Sequence, residues 1–243
     1  MCRMLAMISL KPLNANYLDD FRRLAETGKV KSDHKTSGHK DGWGIVHIDK
    51  VPTDLGHKAL HEDGPVEANA STSKGYEKAY GNIEKERMNG IFLSHLRKAS
   101  SGKKVRENTP PFIENNWVFS HNGNIYGLGN EQFSDSRIFF KMLVEKITET
   151  RDLQKGIYEV INKIKENYEY DSLTFLLSNN NTLCAYRDFA KEDDYYTIKY
   201  AITKDSTLIL VQEEIWNLNW NTVPNESLII VNNDLRILGP LKI

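Results

Sequence analysis

Leu18, Phe21 and Leu24 recur at helical spacing, and the run stops at Gly28, which predicts a helix over 17–27. Residues 2–10 are almost continuously apolar and predict a buried strand. After a polar loop at 32–42, the segment WGIVHID alternates like a strand, and a second strand is expected over 57–61. Residues 73–89 are charged, with weak helical character. IFLSHL, at 91–96, reads as a strong strand, and a polar loop at 100–111 follows it, closed by Pro110 and Pro111. Residues 117–121 form another strand, ended by Asn122-Gly123.

Two amphipathic helices are expected at 135–146 and 152–167. The first carries Ile138, Phe139, Met142 and Leu143, and the second Ile157, Val160, Ile161 and Ile164. The remainder is strand-rich: LTFLLS, TLCAYRD, YYTIKYAI, TLILVQ and SLIIVNN, with turn residues between. The order is strands, two helices, then strands. That order argues against regular β-α alternation and a doubly wound parallel sheet, and favours layered sheets covered by helices. No internal repeat, low-complexity tract or Gly/Ser linker interrupts the chain, so a single domain over 1–243 is expected.

Composition narrows the function classes. A formal net charge of −1 gives no global field for nucleic acid or an anionic membrane. No apolar run approaches the about 20 residues that span a bilayer. The first ten residues are too short and poorly built for a signal peptide. Two cysteines, Cys2 and Cys184, do not make a disulfide scaffold, and a reducing, cytoplasmic setting is expected. Cys184 sits inside a predicted strand and reads as a buried, inert thiol.

Cys2 is the most informative residue. Removal of the initiator Met would leave a thiol and a free α-amino group on one residue. Those groups ordinarily titrate near ~8.5 and ~8. One residue could then carry both nucleophile and base. Three further segments stand at the ends of predicted strands: Asp41-Gly42-Trp43-Gly44; His95-Leu96-Arg97, running on to Ser100 and to Asn108-Thr109-Pro110-Pro111-Phe112; and His121-Asn122-Gly123-Asn124, followed by Ser134-Asp135-Ser136.

Taken with Cys2-Arg3, these segments resemble the class II glutamine amidotransferases, the N-terminal nucleophile family with an initial Cys. The free-standing members are the nearest likeness, and they also carry a Lys-Asp-Gly-Trp-Gly segment. The resemblance implies an α+β fold, the four-layer αββα sandwich of the N-terminal nucleophile hydrolases, with two mostly antiparallel sheets. It implies that Cys2 attacks the side-chain amide of glutamine, with its own α-amino group moving the proton. Asn122 and Gly123 match the oxyanion hole, Arg97 the clamp on the substrate carboxylate, and Asp135 the carboxylate that holds the substrate ammonium. Ser100 stands where many relatives have a Thr that helps seat the substrate, and Trp43 is placed near the active centre. No metal or cofactor is expected.

Each residue also has a plainer reading. Asn-Gly after a strand is a common hairpin signal. Arg97 could be a solvated strand end, Asp135 or Ser134 a helix N-cap, and Trp43 a core aromatic. His95 and His121 read as structural hydrogen-bonders. Pro110 and Arg137 depart from the family pattern and bear on substrate identity. The histidine pairs His57/His61 and His34/His39 do not complete a zinc site. The run Lys103-Lys104-Val105-Arg106 reads as a solvated face.

The expected partners are glutamine or a γ-glutamyl small molecule. With 243 residues there is no room for an acceptor domain, so a separate synthase subunit is one expectation. A self-contained γ-glutamyl hydrolase and a non-catalytic amino-acid sensor are the alternatives.

Overall fold

A computed structural model of the chain describes residues 2–32, 36–49, 51–59, 69–100 and 103–243. Its first strand, β1 (Cys2–Ser9), is buried at every position. Met4, Ala6 and Ile8 point into one apolar cluster, while Leu5 and Met7 point into another. Burial on both faces explains why the segment reads as an unbroken apolar run rather than an alternation.

β1 lies inside a seven-stranded sheet with β2 (Gly42–Ile48), β3 (Pro52–Ala59), β4 (Gly90–Arg97), β9 (Lys199–Ile202), β10 (Thr207–Val211) and β11 (Asn221–Thr222). The order is β11-β9-β10-β1-β4-β2-β3. A six-stranded sheet holds β5 (Phe112–Glu114), β6 (Trp117–Asn122), β7 (Thr174–Ser178), β8 (Thr182–Arg187), β12 (Ser227–Asn232) and β13 (Ile237–Lys242), in the order β13-β12-β8-β7-β6-β5. Every pairing is antiparallel.

Three apolar clusters define four layers. Between the sheets, Met4, Ala6, Val46 and Leu93 meet Val118, Leu176, Ala185 and Ile229. Helices α1 (Asn16–Arg22), α2 (Leu24–Thr27) and α3 (Lys74–Lys85) cover the outer face of the first sheet through Leu18, Phe21, Tyr76 and Ile83. Helices α4 (Asp135–Thr150) and α5 (Leu153–Asn167) cover the second sheet through Phe139, Phe140, Ile157 and Ile161. The result is the αββα sandwich of the N-terminal nucleophile hydrolases.

Several elements differ from the sequence reading. The helix expected over 17–27 divides at Arg23, whose N–H bonds to Asp20 O at 3.2 Å, three residues back rather than four. The strand expected from residue 57 starts at Pro52, because β3 zips along β2 from Ile48↔Pro52 to Gly42↔Ala59. Residues 60 and 61 lie outside the described residues. Residues 195–198 are not strand; Tyr195 and Tyr196 instead pack with Phe189 in a small cluster of their own. The edge strands β5 and β11 are too short to show a pattern, and β13 is interrupted by Gly239-Pro240.

Phe119 anchors the second sheet to its helices. Its ring stacks on Phe140 at 5.1 Å and meets Phe139 edge-on at 5.5 Å. Phe119→Ala should therefore lower the unfolding free energy by about 3–5 kcal/mol. Urea denaturation followed by fluorescence measures it, and a loss under about 1 kcal/mol would contradict this packing account.

Candidate active site

Strand register assembles the site. Cys2 lies opposite Arg97 in the β1–β4 pair, and Arg97 lies opposite Gly42 in the β4–β2 pair. Three strand ends thus form one outer row of the first sheet. Across the gap, β6 of the second sheet delivers Asn122. Its carboxamide bonds both main-chain groups of Cys2: Cys2 N–H donates to Asn122 Oδ1 at 2.9 Å, and Asn122 Nδ2 donates to Cys2 O at 3.0 Å. The second Nδ2 hydrogen goes to Gln212 Oε1 at 3.1 Å. The hydroxyl of Tyr195 also donates to Cys2 O, at 3.3 Å.

Arg3 points to the opposite face and braces this corner from behind. Its guanidinium lies 4.3 Å from the centre of the Tyr195 ring, pairs with Glu213 at 2.8 Å and donates to Lys29 O at 2.7 Å.

A cleft of about 30 Å³ opens beside Cys2, lined by Arg97, Ser100, His121, Gly123 and Asp135 among others. Through Ser100, Ser134 and Asp135 it adjoins a wider cavity of about 310 Å³ that includes Tyr126 and Phe133. Arg97 is buried, which pulls its pKa down, while Cys2, Asp41 and Asp135 favour its charge. Asp135 is the first residue of α4 and not its cap. The cap is Ser134, whose Oγ accepts from Arg137 N–H at 3.3 Å. The Asp135 carboxylate accepts from Ile125 N–H and Ser136 N–H, both at 2.8 Å.

Ser100 Oγ donates to Asn124 Oδ1. Asn124 is itself fixed by Asp171, through its backbone N–H at 2.6 Å and its Nδ2 at 2.8 Å. Burial alone would raise the Asp171 pKa, but these bonds and Lys31 at 3.0 Å turn the shift downward.

Gly123 has no alternative at its position, since a Cβ there would stand 1.9 Å from Ser172 O. His121 is tied down structurally, with Nδ1 against Ser136 Oγ at 2.9 Å and Nε2 against Ser172 O at 3.1 Å. His95 is different. It is fully buried, and neither ring nitrogen has a hydrogen-bond partner among the described residues, which corrects the structural hydrogen-bonding expected of it.

The structure does not bring Trp43 to the cleft. Alternation along β2 puts Gly42 and Gly44 on the inner face and turns Trp43 outward, edge-on to Tyr76 of α3 at 5.2 Å. Gly44 matters instead, because a side chain there would strike Pro110 O at 2.7 Å and Pro111 Cδ at 2.6 Å. Pro110 itself lines the cleft. Arg137 faces a neighbouring cavity of about 270 Å³, over the Phe112 ring at 5.1 Å and 3.7 Å from Glu114.

Lys104 and Arg106 pair with Asp41 and Asp54. Cys184 is buried, and its thiol is pushed up to about 12 by that burial. His34 and His61, each half of a weighed pair, lie outside the described residues. Sequence reasoning missed Gln212 and Tyr195, which stand 90 and 193 residues from the groups they bond. No local motif marks either one.

The family model for class-II glutamine amidotransferases matches residues 1–234. An uncharacterised protein of Methanocaldococcus jannaschii is 23% identical over 96% of this chain and 70% of its own. A Haemophilus influenzae protein provisionally named a glutamine amidotransferase is 28% identical over 76% of this chain and 63% of its own. Among solved structures, the glutamine phosphoribosylpyrophosphate amidotransferase of Bacillus subtilis superposes with a TM-score of 0.61 at 14% identity; the match covers 98% of this chain but only 49% of that one. A class-II glutamine aminotransferase domain protein of Silicibacter pomeroyi gives 0.58 at 15% identity, covering 95% of this chain and 94% of its own. No described helix is long and apolar enough to cross a membrane.

Two outcomes are expected. Iodoacetamide should label Cys2 in the folded protein and reach Cys184 only after denaturation, as read by peptide mass spectrometry; early Cys184 labelling would contradict its burial. Stability should also fall on mild acidification. Burial depresses the pKa of His95 and His121 below the ordinary value of about 6.5, so the unfolded chain binds these protons first. Melting temperature should drop as pH goes from 7 toward 5, and a flat profile would count against both buried neutral rings.

Proposed function

Because the chain belongs to the class-II glutamine amidotransferases, we propose that it hydrolyses the side-chain amide of glutamine, or a γ-glutamyl amide, through a thioester on Cys2. The observation that carries this reading is the reciprocal bonding of Asn122 to Cys2, which lines one cleft with Arg97, Gly123 and Asp135. The Arg97 fork suits the α-carboxylate of an amino acid, and Asp135 suits its α-ammonium. With both charges held, the side-chain amide points at the Cys2 sulfur.

With the initiator Met removed, the Cys2 nitrogen is an α-amine, still anchored to Asn122 Oδ1. An ordinary α-amine titrates near ~8 and takes the thiol proton near neutral pH. The sulfur then attacks the amide carbon. Gly123 N–H supplies one donor to the resulting oxyanion. Asn122 Nδ2 supplies the other by exchanging one of its present acceptors, Cys2 O or Gln212 Oε1, for the oxyanion. The α-ammonium protonates the departing nitrogen, ammonia or an amine leaves, and water hydrolyses the thioester. No cofactor enters this route. We also propose that the chain acts as a single domain in a reducing, cytoplasmic setting.

One partner fits this chemistry, a synthase subunit that takes the ammonia. The cavity of about 310 Å³ beyond Ser100 and Asp135 favours a second reading, a self-contained hydrolase of γ-glutamyl amides bulkier than glutamine.

Cys2→Ala protein should fold with an unchanged melting temperature and release no glutamate from glutamine or γ-glutamyl dipeptides. Turnover at the wild-type rate would end the nucleophile assignment and revive a sensor role for the pocket. Asp135→Asn should raise KM for glutamine at least about tenfold, with a smaller change in kcat, since a charge-assisted contact is lost from ground and transition state alike. An unchanged KM would remove Asp135 from substrate binding.

A further inference from the structure

The inner face of the first sheet carries a second row, directly behind Cys2. Met4 pairs with His95, and His95 with Gly44. Gln212 adjoins the row on the other side, its N–H donating to Met4 O at 3.3 Å. Directly paired residues project to the same face, so these side chains point toward the second sheet. Met4 does so within the inter-sheet core, and Gln212 reaches Asn122 across the gap. On the facing strand, Val118 lies in that same core and Asn122 meets Cys2, so Ser120 between them projects into the same space.

Three polar side chains in this space are buried with hydrogen-bonding capacity unspent. Both ring nitrogens of His95, Ser120 Oγ and Gln212 Nε2 lack a partner among the described residues. One such orphan costs about 1–3 kcal/mol. Several from two sheets at one place, next to a nucleophile, mark a site for a small polar ligand. A neutral imidazole offers one donor and one acceptor, a hydroxyl offers both, and the Gln nitrogen donates. That set fits a molecule that both gives and takes hydrogen bonds.

We propose that His95, Ser120 and Gln212 bind the water that hydrolyses the Cys2 thioester. The inference rests on the thioester reading above. Once the acyl group fills the narrow outer cleft, the inter-sheet side remains for water to approach from. The water oxygen bonds to the thioester carbon as one of its protons passes to the Cys2 α-amine. The carbon–sulfur bond then breaks, the sulfur recovers a proton from the α-ammonium, and glutamate leaves. His95 and Ser120 act as positioning residues through that water, and Gln212 ties the site to Asn122.

The test separates acylation from deacylation in Ser120→Ala and His95→Leu proteins. Rapid-quench assays with glutamine should retain the first-turnover burst of ammonia, while steady-state turnover falls about 10- to 100-fold. Intact mass measurement should find the γ-glutamyl adduct accumulating on Cys2. A structural defect would lower both phases together and would not load the enzyme with adduct. Wild-type deacylation in both variants would overturn the proposal, as would loss of the burst in protein of normal melting temperature. Should His95→Leu fail to fold, Ser120→Ala, which deletes one hydroxyl, carries the test. Wild-type protein that turns over glutamine without ever forming an adduct would instead overturn the thioester reading, and the water site with it.

Discussion

The two hydrogen bonds between the Asn122 carboxamide and the Cys2 backbone are the constraint on which the site depends. They run between two sheets whose inner faces meet elsewhere through apolar side chains such as Met4, Val118 and Leu176, with the Gln212–Asn122 bond beside them. Apolar contacts hold sheets together without fixing their relative register to a fraction of an ångström. A pair of bonds with both a donor and an acceptor on each partner does fix it. Such a pair sets where the sulfur stands relative to Gly123, Arg97 and Asp135, which come from three different strands or helix starts.

The surroundings of that pair are built to resist displacement. Tyr195 and Gln212 bond the same two residues from a third direction, and Arg3 stacks on Tyr195 while reaching Glu213 and Lys29. Ser172 O presses against Gly123 so closely that no side chain fits. Buried polar groups joined in this way gain from low dielectric only when every member is satisfied. The network meets that condition at Asn122 and Cys2 O and departs from it at His95, Ser120 and Gln212 Nε2. Full satisfaction holds Cys2 still, and the incomplete part lies one row deeper.

Much of this architecture was legible in the chain. The apolar run of β1, the periodicity of α4 and α5 and the strand ends at Arg97 and Asn122 all appear where the pattern placed them, because local burial dictates them. Cys2, Arg97, Ser100, Gly123 and Asp135 do share one cleft. Trp43 was misplaced because a strand alternates: the glycines flanking it take the inner face, and the indole must take the other. Gln212 and Tyr195 were invisible because their importance comes from long-range pairing, which leaves no local spacing to read. The capping role of Ser134 over Asp135 could be decided only by the backbone geometry at the start of α4.

The position of β1 in the middle of its sheet has a consequence for biosynthesis. β1 leaves the ribosome before either of its neighbours, β4 on one side and β10 on the other. Until residues 207–211 emerge, one of its edges stays open, along an apolar ribbon prone to pairing with other chains. The thiol at its head likewise waits for Gln212 to secure Asn122. The nascent polypeptide therefore holds the Cys2 thiol well before the pocket around it can close, and the arrival of residues 207–212 decides when that pocket forms.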